Sequence, residues 1–196
     1  TTTRVDHVLF VVFTGWPPDY NALDERVAQI ARVQGALVVT PMPWGNPDGI
    51  TGAHIDAFAA RLHTYITQYD VPVFVRFAHE MNGSWYPYGG QPVRYTNAFR
   101  RMAHAVRPLG PRAAMVWGVA NYQGYPFDYN NKNLAGYLAS AYHGTSNDFA
   151  AMDTNGDGLL TSADDPYGPY YPGDDVVDWV GSSVYHTHNT WPPDAN

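Results

Sequence analysis

Residues 7–13, His-Val-Leu-Phe-Val-Val-Phe, form a nearly continuous apolar run that stops at Gly15-Trp16-Pro17-Pro18. A run of that length and closure predicts a strand buried on both faces of a parallel sheet. Leu23, Val27, Ile30 and Ala31 then recur at helical spacing, with Asp24 and Glu25 expected in the first turn, where the helix dipole favours acids. Gly35 ends that helix, and Ala36 to Thr40 gives a second strand, closed by Pro41-Met42-Pro43-Trp44. Thr51 is placed to cap a second helix with Ile55, Phe58, Ala59, Leu62, Tyr65 and Ile66 on one face. A third strand starts at Val71 and runs into Arg76, His79 and Glu80. Tyr95, Phe99, Met102, Ala103 and Val106 stripe a third helix, which the prolines at 108 and 111 terminate. Residues 113–119 read as a fourth strand, and Leu134, Tyr137, Leu138, Ala141 and Tyr142 as a fourth helix stopped at Gly144. A polar segment, 144–175, precedes a fifth strand at 176–185 and a tail rich in Pro and Asn.

Strands alternating with amphipathic helices describe βα units on a parallel sheet. Each strand closes in polar or aromatic residues: Trp16, Trp44, His79-Glu80, Asn121-Tyr122 and Tyr185-His186. Both barrels and doubly wound sheets put their ligands at strand C-termini. No Gly-x-Gly-x-x-Gly or Walker loop occurs, so the expected fold is α/β, a (β/α)₈ barrel of which the chain supplies about five units. Residues 1–196 form one incomplete barrel domain in this reading, with 144–175 an insertion. Five strands cannot close an eight-stranded barrel, which takes about 250 residues.

Composition narrows the partners. A net charge of −7 argues against nucleic acid and anionic membrane surfaces, and no apolar run has the length of a membrane span. No charged-then-apolar leader precedes the first strand, so a mature chain beginning at Thr1 is expected. Cysteine is absent, which excludes thiolate metal sites and a thiol nucleophile. The 15 Tyr, 6 Trp and 8 Phe matter more, because many flank Pro, Gly and Asn in loops. Rings in loops make binding surfaces, and sugars offer flat apolar faces to them.

Glu80 is the best candidate acid. The chain has two Glu, and Glu25 belongs to a surface helix. The alternative role for Glu80 is a salt bridge with Arg76. Glycosidic cleavage needs an acid to protonate the leaving oxygen and a second carboxylate across the ring.

His79-Glu80-Met81-Asn82-Gly83-Ser84-Trp85, preceded by Arg76, resembles the signature of glycoside hydrolase family 26. Tyr171-Pro-Gly-Asp-Asp-Val-Val-Asp-Trp-Val-Gly181, leading to Tyr185, is similar to the family's sixth strand and its approach. The resemblance implies a retaining (β/α)₈ hydrolase of β-mannans, mixed-linkage β-glucans or β-1,3-xylans. It implies Glu80 as acid/base, His79 orienting the nucleophile, Trp85 as a sugar platform and Tyr185 hydrogen-bonding the nucleophile. Arg76, Asn82, Trp44, Asn121 and Tyr122 complete the expected substrate-binding set. Two features depart from the family. Its nucleophile is a Glu on the seventh strand, and no Glu follows Glu80. Gly45 also stands where mannanases of the family often have His, which weakens mannan.

The functional expectation is a secreted, retaining endo-β-glycosidase acting on a plant or fungal cell-wall β-mannan or β-glucan. A second fragment would complete the barrel. The other reading is a non-catalytic carbohydrate-binding protein that stacks sugars on Trp44, Trp85, Tyr86 and Tyr185.

A second motif is independent of the first. Asp153, Asn155, Asp157, Leu159 (through its carbonyl) and Asp164 fall at positions 1, 3, 5, 7 and 12 of a calcium loop, with Gly158 at position 6. Asp at position 12 resembles the dockerin type, and a structural Ca²⁺ pinning the insertion is expected. His186 and His188 are read as a solvated tail, and Asn82-Gly83-Ser84 as an unmodified glycosylation triplet.

Overall fold

The computed structural model describes residues 9–44, 49–127, 133–138 and 144–185. Five parallel strands follow one another in chain order: β1 (Leu9–Gly15), β2 (Ala36–Met42), β3 (Val73–Val75), β4 (Ala113–Ala120) and β5 (Trp179–Ser183). Sequential parallel order with helical crossovers is the arrangement of barrel staves, and the fold is part of a (β/α)₈ barrel.

The crossovers are α1 (Tyr20–Arg32), α2 (Gly52–Thr67) and α3 (Pro92–Val106). Two shorter helices, α4 (Leu134–Leu138) and α5 (Ser146–Met152), lie between β4 and β5. α1 begins earlier than the acidic residues suggested. Asp19 caps it by accepting the amides of Asn21 and Ala22, so Asp24 and Glu25 fall in the second turn. Thr51 caps α2 as expected, accepting from His54 N at 3.3 Å. α5 was not legible in the polar insertion. A capping box starts it, with Thr145 Oγ1 accepting from Asp148 N and the Asp148 carboxylate accepting from Thr145 N.

Strand alternation divides the sheet's two faces. Leu37, Val39, Val73, Val75 and Met115 point outward against Leu23, Val27, Phe58, Leu62, Phe99 and Met102 of the helices, and all are buried. The other face is the inner face of the barrel wall. Leu9, Val11 and Phe13 of β1 are each more than half exposed there, as is Trp179 of β5. Arg76 crosses this face beside Gly118, where a Cβ would come within 3.0 Å of its Cδ. Positions 7, 8, 45, 141 and 142, with the His186-to-His188 pair and the tail, lie outside the described residues.

Candidate active site

Paired β3 is only three residues long, yet the chain beyond it stays anchored between its neighbours. The amides of Arg76 and Ala78 donate to the carbonyls of Val39 and Pro41, and Glu80 N donates to Gly118 O at 2.7 Å. Ala78 and Glu80 have φ of 45° and 56°. Non-glycine residues are uncommon in this left-handed region and often mark functional strain. Here it turns His79 and Glu80 out of strand geometry at the mouth of the half-barrel.

Glu80 is 4% exposed, and both its carboxylate oxygens accept hydrogen bonds. Trp85 Nε1 donates to Oε2 at 2.8 Å, and the Tyr185 hydroxyl donates to Oε1 at 3.3 Å. Trp85 is therefore a positioning donor as well as an exposed ring. Tyr185, expected to hydrogen-bond a nucleophile, reaches the Glu80 carboxylate. No ion pair joins Arg76 to Glu80 among the described residues. Arg76 Nε donates to Thr40 Oγ1 at 3.1 Å, and its guanidinium lies 5.2 Å from the centre of the Phe13 ring.

His79 is buried, edge-on to Phe13 and 3.2 Å through Nε2 from the Tyr86 hydroxyl. Burial pushes its imidazole down to about 4, the Arg76 guanidinium adds to this, and Glu80 opposes it. The ring is thus neutral at physiological pH. Tyr88, fully buried, fixes the backbone by donating to His79 O at 3.1 Å. Burial raises both tyrosine hydroxyls above their usual range, keeping them protonated donors.

The remaining expected sugar contacts divide. Trp44, Trp85 and Tyr122 are 54%, 45% and 60% exposed, so their rings are free to stack. Trp44 meets Tyr86 edge-on, which brings the β2 end into the same group. Asn82 departs from expectation. It is fully buried, donating Nδ2 to Ala120 O (3.0 Å) and accepting Ala120 N at Oδ1 (2.8 Å). That amide splices the post-β3 loop onto β4. Asn121 accepts its own turn's Gln123 amide and so serves the turn.

Sequence reading missed Phe13, Thr40, Gly118 and Phe127. The first three occupy inward positions on neighbouring strands, a period-two signal that was available. Phe127, with its ring 5.0 Å from that of Trp85, sits where no periodicity reaches.

The 153–164 loop is folded by its own side chains. Asp153 accepts from the amides of Asp157 and Gly158, and Asp157 from Leu159 N. Asp164, nearly buried, accepts from Thr154 N and Thr161 N. Gly158, at the sharp-turn position, has φ of 79°. No group of three or more carboxylates and imidazoles is close enough to hold a metal ion among the described residues. Asn155 Oδ1 and the Leu159 carbonyl would have to complete any such set. No helix among the described residues is long and apolar enough to cross a membrane.

Residues 27–136 match the profile described as Glycosyl hydrolase family 26. The chain is 25% identical over 152 residues to the beta-1,3-xylanase TXYA of a Vibrio species, covering 76% of this chain and 25% of that protein. It is 24% identical over 189 residues to endoglucanase H of Acetivibrio thermocellus, covering 91% and 17%. Among solved structures, the GH26 beta-mannanase BoMan26A of Bacteroides ovatus superposes with a TM-score of 0.50 at 14% identity, over 92% of this chain and 53% of that one. The YdhT protein of Bacillus subtilis gives 0.51 at 14% identity, over 92% and 56%. These likenesses carry the fold. The chain spans about a quarter of the length of the first curated relatives it matches and just over half of the solved ones.

Proposed function

The chain belongs to glycosyl hydrolase family 26, and we propose that it carries the acid/base half of a secreted, retaining endo-β-glycosidase. The observation that supports this most is Glu80, a buried strand-end carboxylate gripped on both oxygens by Trp85 and Tyr185 beneath exposed aromatic faces. In this reading Glu80 protonates the leaving glycosidic oxygen and then activates the water that completes hydrolysis. Neutral His79, wedged between Phe13 and Tyr86, orients the partner carboxylate. That carboxylate comes from βα units outside these 196 residues, placed about 5–5.5 Å from Glu80 as a retaining mechanism requires. Trp44, Trp85 and Tyr122 stack the sugar rings.

The substrate is a β-linked cell-wall polysaccharide, β-mannan or β-glucan, and a polymer of that size is met outside the cell. The test measures reducing-end release from β-mannan, mixed-linkage β-glucan and β-1,3-xylan by the full-length protein, with and without Glu80→Gln. Hydrolysis lost by about 10³-fold or more with polymer binding retained is the expected result. Equal activity in the variant sinks the assignment. The rival reading is a non-catalytic sugar-binding protein that stacks sugars on Trp44, Trp85, Tyr86 and Tyr185. Binding without hydrolysis by the full-length protein would establish it.

We also propose that the 153–164 loop takes a structural Ca²⁺. Support comes from the twelve-residue donor spacing, the left-handed Gly158 and the backbone amides of Asp157 and Gly158 that bend the loop back onto Asp153 and Asn155. Calcium should raise the melting temperature of the protein and not that of Asp153→Asn.

A further inference from the structure

We infer that Tyr167 is a positioning residue for the aromatic wall of the groove, tying the insertion to Trp85 and hence to Glu80. The inference rests on the glycosidase reading for its consequence, and on hydrogen bonds and ring contacts for its geometry.

The path begins in the insertion. Asp164 accepts from Thr154 N at 2.8 Å, Thr154 Oγ1 accepts from Asp165 N at 2.8 Å, and Asp165 Oδ1 accepts from Tyr167 N at 2.8 Å. Tyr167 is thereby fixed, and its hydroxyl accepts the backbone N–H of Tyr122 at 2.9 Å. Tyr122 opens the turn that leaves β4, and its carbonyl accepts from Tyr125 N at 2.9 Å. Tyr125 is buried against the insertion, and its ring meets Phe127 at 5.8 Å. Phe127, held at φ of 56°, meets the Trp85 indole edge-on at 5.0 Å. Trp85 Nε1 ends the path on Glu80.

Every link on this path but two is a directional hydrogen bond, and the two ring contacts have fixed geometry. The Tyr122 ring is exposed, so its residue is tied to the insertion through the backbone N–H that Tyr167 accepts. In this inference the insertion sets where the Trp85 ring stands, through Tyr122, Tyr125 and Phe127, and with it how a sugar ring packs on that face.

Tyr167→Phe removes the acceptor and keeps the ring, so the fold is preserved; Thr154→Val cuts the path two links earlier. The indole N–H resonance of Trp85, assigned by its disappearance in Trp85→Phe, reports the grip on Glu80 without any sugar. Tyr167→Phe should shift that resonance and speed its solvent exchange about threefold or more, leaving the Trp16 and Trp117 signals in place. Thr154→Val should act in the same direction. Affinity for the best oligosaccharide of the panel should fall about three- to tenfold. A Trp85 resonance that does not move in either variant overturns the inference. If it moves while the unmodified protein binds none of the sugars, the glycosidase reading fails and the positioning link stands.

Discussion

His79 shows how a single residue's surroundings set its chemistry. Its folded pKa lies below its unfolded value, because burial and Arg76 penalise the imidazolium. The stability tied to the neutral ring is whole above about pH 6.5. As pH falls below that value the unfolded chain takes up a proton that the folded one refuses, and the loss is complete near pH 4. Between pH 7 and pH 5 the protein should lose about 1–2 kcal/mol more stability than His79→Gln, read from urea midpoints at the two pH values. Parallel slopes for the two proteins would show that His79 is protonated as easily in the fold as in water. At this scale the cluster was legible in part: one strand-end string named Glu80, His79 and Trp85 together, and the fold brings a Tyr more than a hundred residues away onto the same carboxylate. Asn82 was misread for a physical reason. An amide beside an acid looks the same in sequence whether it faces a ligand or a backbone, and only the fold shows that Ala120 takes both of its ends.

That amide belongs equally to the scale of elements. The post-β3 loop has no ladder of its own. Asn82 substitutes for one, pairing with Ala120 as a neighbouring strand residue would. Asn82→Ala leaves a buried N–H and a buried C=O without partners and should cost about 2–4 kcal/mol, measured as a fall in urea midpoint. Asn82→Asp should cost at least as much, since it keeps the acceptor, loses the donor and buries a charge. A change under about 0.5 kcal/mol would mean that water replaces the amide freely. Strand and helix positions were legible because β1 to β4 are short runs of mostly apolar residues and each long helix carries a stripe at period 3.6. The ends were not. α1 starts at Asp19 rather than at the acidic pair, since a side-chain cap outweighs a dipole preference. α5 is seven residues in a polar stretch, too short for a stripe to register.

The whole molecule is defined by its unfinished sheet. Among the described residues β1 is paired only with β2, and β5 only with β4. Leu9, Val11, Phe13 and Trp179 leave the inner face apolar and open. Periodicity marked the staves but says nothing of what covers the inner face. An apolar wall of this kind becomes core once neighbouring staves arrive. Val11 separates the states, because its side chain is half exposed here and would be enclosed in a closed barrel. Val11→Asp should change the stability of residues 1–196 by no more than about 0.5 kcal/mol, as a surface substitution does. In the full-length protein the same change buries an unpaired carboxylate and should cost about 3 kcal/mol or more. Urea unfolding of both forms, with dye binding to the open face as a second readout, makes the comparison. A large loss in the 196-residue chain would mean that its inner face is already covered, and a second copy is then the occupant to look for by light scattering.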